Sequence, residues 1–308
     1  MQYLQVAVAM ARPYFLAGTV PLYLVGVLAA AGDPTDIALV PVGLGLGIVW
    51  AVQLLTHYYN EFHDLDTDRN ADPSTLTGGS QALVGFDVPP EIARWLGRAS
   101  ILGAVVLTGI LVATVRTEPL LLGVVGLAIV FGWAYSSPPI RLVARGFGEL
   151  TVVVLAAVLV PLFGFVLQHG SVGPDLLPVV ASLVPLTFAM NISTTLPDMD
   201  GDRRTGKRTL AVRLGARRVG DLGVVAFLLG CAIGTWTIEG ILPGAGLLGL
   251  VVTAVVCLAG WRPYARVRQG DRRVASRLAV VVTTAYGTIV FGIGLVMVLS
   301  AWSIVLPW

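Results

Sequence analysis

The amino-acid sequence predicts an all-α membrane protein: a polytopic bundle of nine transmembrane helices with two pseudo-repeated four-helix halves, forming one domain over residues 1–308. Three observations predict it. Only 12% of the 308 residues are charged, against ~25% in soluble domains. Hydrophobic residues make up 56%, and the mean hydropathy is +0.84. Nine apolar runs approach the ~20 residues that cross a bilayer, and no linker or low-complexity stretch divides them.

In chain order, the first span covers 12–31 and opens at Arg12. Ala29-Ala30-Ala31 looks like a leader cleavage site, but the run before it is long and carries a single Arg, so a retained helix is expected. The second span, 36–59, runs into an acid-rich segment starting at Asn60. The third, 92–115, carries Arg94 and Arg98 at its start, after Arg69 in the preceding connection. The fourth, 118–136, leads into Tyr135-Ser136-Ser137-Pro138-Pro139, with Arg141 and Arg145 beyond. The fifth is 147–168, and the sixth, 174–197, ends at a second acid-rich segment. Seven basic residues from Arg203 to Arg218 lie between the sixth span and the seventh, 216–237. Six more, from Arg262 to Arg277, lie between the eighth, 243–261, and the ninth, 277–303. Frequent Gly and Ala within the spans suit close helix packing in lipid.

Threading these spans across a membrane puts 19 of the 20 basic residues on one side and leaves Arg116 alone opposite. Positive residues mark the cytoplasmic side. The expected topology is therefore a multi-pass cell-membrane protein with its N-terminus inside and its C-terminus outside. Thirteen of the 18 acidic residues share that cytoplasmic side, where bases alone would be expected. A net charge of +2 gives no reason for a nucleic-acid partner. Cys231 and Cys257 sit in apolar stretches without metal-ligand spacing and read as inert core thiols. His57, His63 and His169 form no zinc pattern.

The acids fall into two clusters. One is Asn60-Glu61-Phe62-His63-Asp64-Leu65-Asp66-Thr67-Asp68, the other Asp198-Met199-Asp200-Gly201-Asp202. If each helix continues through its cluster, Asn60, Asp64 and Asp68 share a face, as do Asp198 and Asp202. Like charges one turn apart destabilise a helix unless a cation sits between them. Magnesium fits: it takes one or two carboxylates and completes its octahedron with water and phosphate oxygens. The clusters are 134 positions apart, each ending an even-numbered span, which is the mark of an internal repeat. Two solvated loop starts are the plain alternative. Matched positions in a chain this poor in charge speak against it. Lys207 and Arg208 follow Asp202, and Arg141 follows Pro139 at the end of the fourth span; these would complete a clamp for a diphosphate with two Mg²⁺ ions. Arg204, Arg217, Arg218 and the arginines before the ninth span fit topology and lipid headgroups.

These residues resemble the UbiA superfamily of intramembrane prenyltransferases, which have nine helices and two aspartate-rich motifs. The family's NDxxDxxxD is matched here by Asn60-Glu61-x-x-Asp64-x-x-x-Asp68, and its DxxxD by Asp198 and Asp202 within DMDGDRRTGKRTLAVRLG. Tyr135 through Leu142 and Arg12-Pro13 are similar to further family segments. The resemblance implies that Asp64 and Asp68, helped by Asn60, hold one Mg²⁺ and Asp198 and Asp202 the second. It implies that Lys207, Arg208 and Arg141 contact the diphosphate and that Tyr135 lines the cavity near C1 of the prenyl chain. Glu61 stands where the family usually has Asp, and its role is open. Gly78-Gly79-Ser80 resembles a subgroup feature, either a cap on the site or a plain turn.

The reaction implied is ionisation of an allylic polyprenyl diphosphate and capture of the carbocation by an aromatic ring, a quinone precursor of the 1,4-dihydroxy-2-naphthoate (menaquinone) type. Arg12 and Arg145 are candidate partners for an acceptor carboxylate, and both equally fit positive-inside placement. Three rivals remain: a membrane terpene cyclase, prenyl transfer to a lipid or sugar-phosphate hydroxyl, and a transporter. A transporter would place its acids at mid-membrane depth, whereas these sit at helix ends.

Overall fold

A computed structural model describes residues 2–31, 36–69, 80–115, 117–269 and 274–305. Among them all regular structure is helical, and nine helices are long and apolar enough to span a bilayer. In order these are α2 (Pro13–Ala31), α3 (Leu39–Arg69), α5 (Glu91–Thr114), α6 (Pro119–Ser136), a fifth span Gly148–His169, α9 (Leu176–Thr195), α11 (Leu210–Ile241), α12 (Gly246–Arg268) and α13 (Ala275–Val305). The fifth span joins α7 (Gly148–Val152) and α8 (Val160–His169) through a π-helical stretch, Val153–Leu159. That wide turn precedes Pro161, which has no N–H for the ladder. Three short helices complete the set: α1 (Gln2–Ala11), α4 (Ala82–Gly85) and α10 (Met199–Arg204).

Every expected span is present; three departures bear on the site, while α11 begins earlier, at Leu210, and α12 runs on to Arg268. A helix α1 precedes the first span, and Arg12 forms the joint between them at φ 51°. α3 runs ten residues past the expected end at 59, because one face of the extension, with Asn60, Glu61, Asp64, Thr67 and Asp68, stays buried against the bundle. The sixth span stops at Thr195, with a separate turn, α10, after it. Pro197 explains the break, since its ring disfavours helix before it and it lacks an N–H. In α11 the expected start at 216 coincides with an internal break at Gly215, φ 81°.

α3 packs chiefly on α5, and α9 on α11, so equivalent pairs recur in the two halves. The halves join where α2 crosses α8, and α13 packs against α2, α9 and α12. At the α2–α8 crossing the backbones touch. A Cβ on Gly26 would lie 2.0 Å from the Pro161 carbonyl oxygen, and one on Gly164 2.6 Å from that of Tyr23. Small residues permit this contact, which is how helices associate in lipid. Outward-facing residues are apolar: Leu102, Trp236 and Leu258 are 63, 68 and 79% exposed. Against hydrocarbon this is the natural surface. Cys231 is buried as expected, but Cys257 is exposed on α12 rather than a core thiol.

Candidate active site

Three segments meet at one end of the bundle. The first is the last three turns of α3. At 31 residues and 1.5 Å per residue this helix is ~46 Å long, well beyond a ~30 Å hydrocarbon core. Its end therefore stands at headgroup depth. Asn60, Asp64 and Asp68 are all buried on one face, while Asp66 is exposed, as one-turn spacing demands.

The second segment is residues 198–209. Asp198 takes the N-cap position of α10 and is half-buried, and the Asp202 N–H donates to its carbonyl at 2.9 Å. The two acids thus keep one-turn spacing despite the break at Pro197. Gly206, at φ 77°, then reverses the chain, a conformation natural to glycine at a helix C-terminus. The reversal brings Lys207 back over Asp202, whose carbonyl accepts the Lys207 N–H at 2.9 Å.

Lys207 is what joins the two motifs. Its Nζ lies 2.8 Å from Asp64 Oδ2 and 3.7 Å from Asp202 Oδ1, with the lysine side chain only 7% exposed. Thr209 donates to Asp202 Oδ2 at 3.3 Å, and Thr67 to Thr205 at 3.2 Å. Burial pushes the Asp202 carboxyl up, with Lys207 pulling the other way. Burial would lower the Lys207 ammonium, but Asp64 and Asp202 outweigh it and hold it above its ordinary range. Asp64, Asp68 and Asp202 together outnumber Lys207, so the cluster favours further positive charge.

Asn60 and Glu61 behave differently from each other. Asn60 turns its amide N–H₂ to Asp64 and accepts from Arg12 Nη2 at 3.4 Å. Glu61 is 1% exposed. It forms an ion pair with Arg12 and accepts the Ser80 N–H and Oγ–H, both at 2.7 Å. Gln81 donates to the Asp68 carbonyl at 3.2 Å. Glu61 is therefore a strut that ties the α1–α2 joint and the chain at Ser80 to the head of α3. Gly78 and Gly79 lie outside the described residues.

The third segment follows α6. Tyr135 is half-buried and lies in the electrostatic field of Asp64, Glu149, Arg12 and Asp202. Arg141 stands at φ 45°, and its buried Nε has no hydrogen-bond partner among the described residues. Such strain in a non-glycine residue is held by its surroundings and gathers at functional sites. Arg208 hydrogen-bonds through its backbone N–H to Ala144 at 2.9 Å, and its side chain is exposed. Arg145 is exposed and donates to the Pro139 carbonyl at 2.8 Å. Arg12 is buried on Glu61, which leaves Arg145 the less engaged of the two. Sequence reasoning missed Glu149, 2% exposed, whose Oε1 accepts the Leu210 N–H at 3.0 Å and so caps α11. Its only signal was an acid opening an apolar span.

An acid-rich, lysine-bridged cluster that favours a bound cation, at one end of a bundle of membrane-length helices, is the arrangement of a metal-dependent membrane enzyme. The chain belongs to the UbiA prenyltransferase family, whose model matches residues 19–283, and it is a prenyltransferase. Among its relatives, a 1,4-dihydroxy-2-naphthoate octaprenyltransferase of Bacillus subtilis is 26% identical over 243 residues, covering 78% of this chain and 75% of that one. A homogentisate phytyltransferase of Synechocystis is 28% identical over 269 residues, 82% of each chain. Among solved structures, a UbiA homolog from Aeropyrum pernix K1 superimposes with a TM-score of 0.63 at 21% identity, over 91% of this chain and 98% of that one. A UbiA homolog from Archaeoglobus fulgidus bound to GPP and Mg²⁺ gives 0.64 at 16%, over 95% and 99%.

Proposed function

We propose that this prenyltransferase ionises a polyprenyl diphosphate with the help of two Mg²⁺ ions and transfers the prenyl group to an aromatic acceptor, a dihydroxynaphthoate-type quinone precursor. The observation that carries the reading is the convergence of Asp64 and Asp202 on Lys207. The residues suit the metal. Among the described residues the buried Asp64 Oδ1 has no hydrogen-bond partner, and the donors are hard carboxylate oxygens. Among the described residues no three acids, histidines or cysteines lie close enough together to hold a metal ion by themselves, so water and phosphate would complete the coordination, as magnesium prefers. Asp64 and Asp68 would serve one ion and Asp198 and Asp202 the other, with Asn60 orienting Asp64.

Bound Mg²⁺ supplies neutralisation of the diphosphate as it leaves. The protein's own groups do the rest. Lys207, with Arg141 and Arg208, would grip the diphosphate. Tyr135 would face C1 as the C1–O bond breaks, and the apolar walls would keep water from the carbocation. The naphthoate and homogentisate names of the two relatives support an aromatic acceptor. The preponderance of basic residues at this end supports a cytoplasmic site.

The test uses purified protein in detergent with Mg²⁺ and geranylgeranyl diphosphate, with and without 1,4-dihydroxy-2-naphthoate, read by mass spectrometry. A prenylated naphthoate that needs acceptor and vanishes on adding EDTA is the expected result. Diphosphate release with a cyclic hydrocarbon and no acceptor would mean a cyclase instead. Turnover only with a phosphorylated hydroxyl acceptor would mean lipid-type transfer.

A further inference from the structure

Beneath the acid cluster, α2, α3, α6 and the fifth span enclose a cavity of about 160 Å³. It follows the same face of α3 downward from Asn60, one turn at a time, through His57, Thr56 and Gln53. This is below the ~300–1,000 Å³ of sites that hold whole drug-sized ligands, and so suits a single ring system. Most of the wall is apolar, as at Val125 and Phe163, but Thr19, Gln53, Thr56 and His57 make one side of it polar.

The hydrogen bonds of that side fix what it offers. Thr19 donates to Gln53 Oε1 at 2.8 Å, and Thr56 donates to the Val52 carbonyl at 3.1 Å. His57 Nδ1 lies 2.8 Å from the Ala11 carbonyl oxygen. A carbonyl can only accept, so Nδ1 carries the proton, and in the neutral ring Nε2 is a bare lone pair. Nε2 has no protein partner among the described residues. The ring is held at the α1–α2 joint, its centroid 6.1 Å from that of Phe15. A prenyl chain offers this lone pair nothing. A ring hydroxyl matches it.

We infer that this cavity is the acceptor site and that His57 Nε2 accepts a hydrogen bond from a hydroxyl of the aromatic acceptor, fixing which ring position faces the carbocation. The inference rests on the aromatic-acceptor reading above. It makes His57 a specificity residue that touches substrate, through a bond that a non-hydroxylated ring cannot form.

The experiment compares kcat/KM for 1,4-dihydroxy-2-naphthoate with that for 1-hydroxy- and 4-hydroxy-2-naphthoate, in wild type and in His57→Leu and His57→Gln. Intrinsic ring reactivity cancels between enzymes. A site built around a hydroxyl rejects the analogue lacking it by ~10²-fold or more, so wild type should show such a preference for one hydroxyl. In His57→Leu that preference should collapse towards unity while the KM for geranylgeranyl diphosphate stays where it was. His57→Gln, which keeps an acceptor atom, should recover part of it, and it carries the test should His57→Leu not fold. An unchanged preference in both variants would overturn the inference alone. A raised KM for the donor with preference intact would also overturn it, assigning the cavity to the prenyl chain. Failure of wild type to prenylate any of these rings would sink the aromatic-acceptor reading, and the inference with it.

Discussion

Asp64 and Asp66 lie two positions apart on one helix, yet one is 7% exposed beside Lys207 and the other faces solvent. Asp64→Ala and Asp198→Ala should each lower turnover by ~10²–10³-fold or more, the scale of losing one group that stabilises developing charge. Asp66→Ala should keep most of its activity, as should Asp200→Ala on the exposed side of α10. Near-normal turnover in Asp64→Ala would remove the basis of the metal assignment. Lys207 offers a second contrast. Removing one partner of a buried charge cluster typically costs ~3–5 kcal/mol, so Lys207→Met should melt earlier than wild type in EDTA. Adding Mg²⁺ should recover more of that loss than it adds to wild type. An equal Mg²⁺ response in both proteins would mean that lysine and metal do not share the site. Such residue-level detail was only half legible in the sequence. The one-turn spacing of Asn60, Asp64 and Asp68 could be read directly. The pairing of Arg12 with Glu61 and of Asp64 with Lys207 could not, because each joins positions far apart that meet only after the bundle closes.

The nine spans were legible because lipid imposes one requirement on all of them, a long apolar run. The departures have local causes. α1, ten residues with the sequence QYLQVAVAMA, is too short to cross a bilayer, so a search for spans passes over it. The end of α3 carries five charged residues besides His63, namely Glu61, Asp64, Asp66, Asp68 and Arg69, or four if Arg69 is set aside with the connection. Whichever way that boundary is drawn, the polarity hides a helix that continues. The Pro197 break, by contrast, stood in the sequence to be seen. The α2–α8 crossing is where a small change should be felt most. Gly26→Ala puts a methyl group against the Pro161 carbonyl, and overpacking of this kind costs ~1–3 kcal/mol. A thermal midpoint in detergent lower than wild type, with Mg²⁺ dependence of turnover retained, is expected. A wild-type midpoint would mean that the helices part there freely.

At the scale of the whole molecule, the charges predict which side of the membrane the site faces. In a background with Cys231 and Cys257 replaced by Ser, Ser171→Cys and Arg204→Cys lie at opposite ends of the bundle. A membrane-impermeant maleimide should label the first in intact cells and the second only in inverted vesicles. The reverse pattern would place the site outside. The fold also keeps α3 in two solvents at once, its apolar length in hydrocarbon and its acidic head beyond it. Donor and acceptor of the kind proposed both dissolve in the bilayer, so the enzyme meets them at a surface density rather than a bulk concentration. Adding inert lipid at fixed amounts of enzyme and substrate should therefore slow turnover, although the bulk concentrations of enzyme and substrate are unchanged.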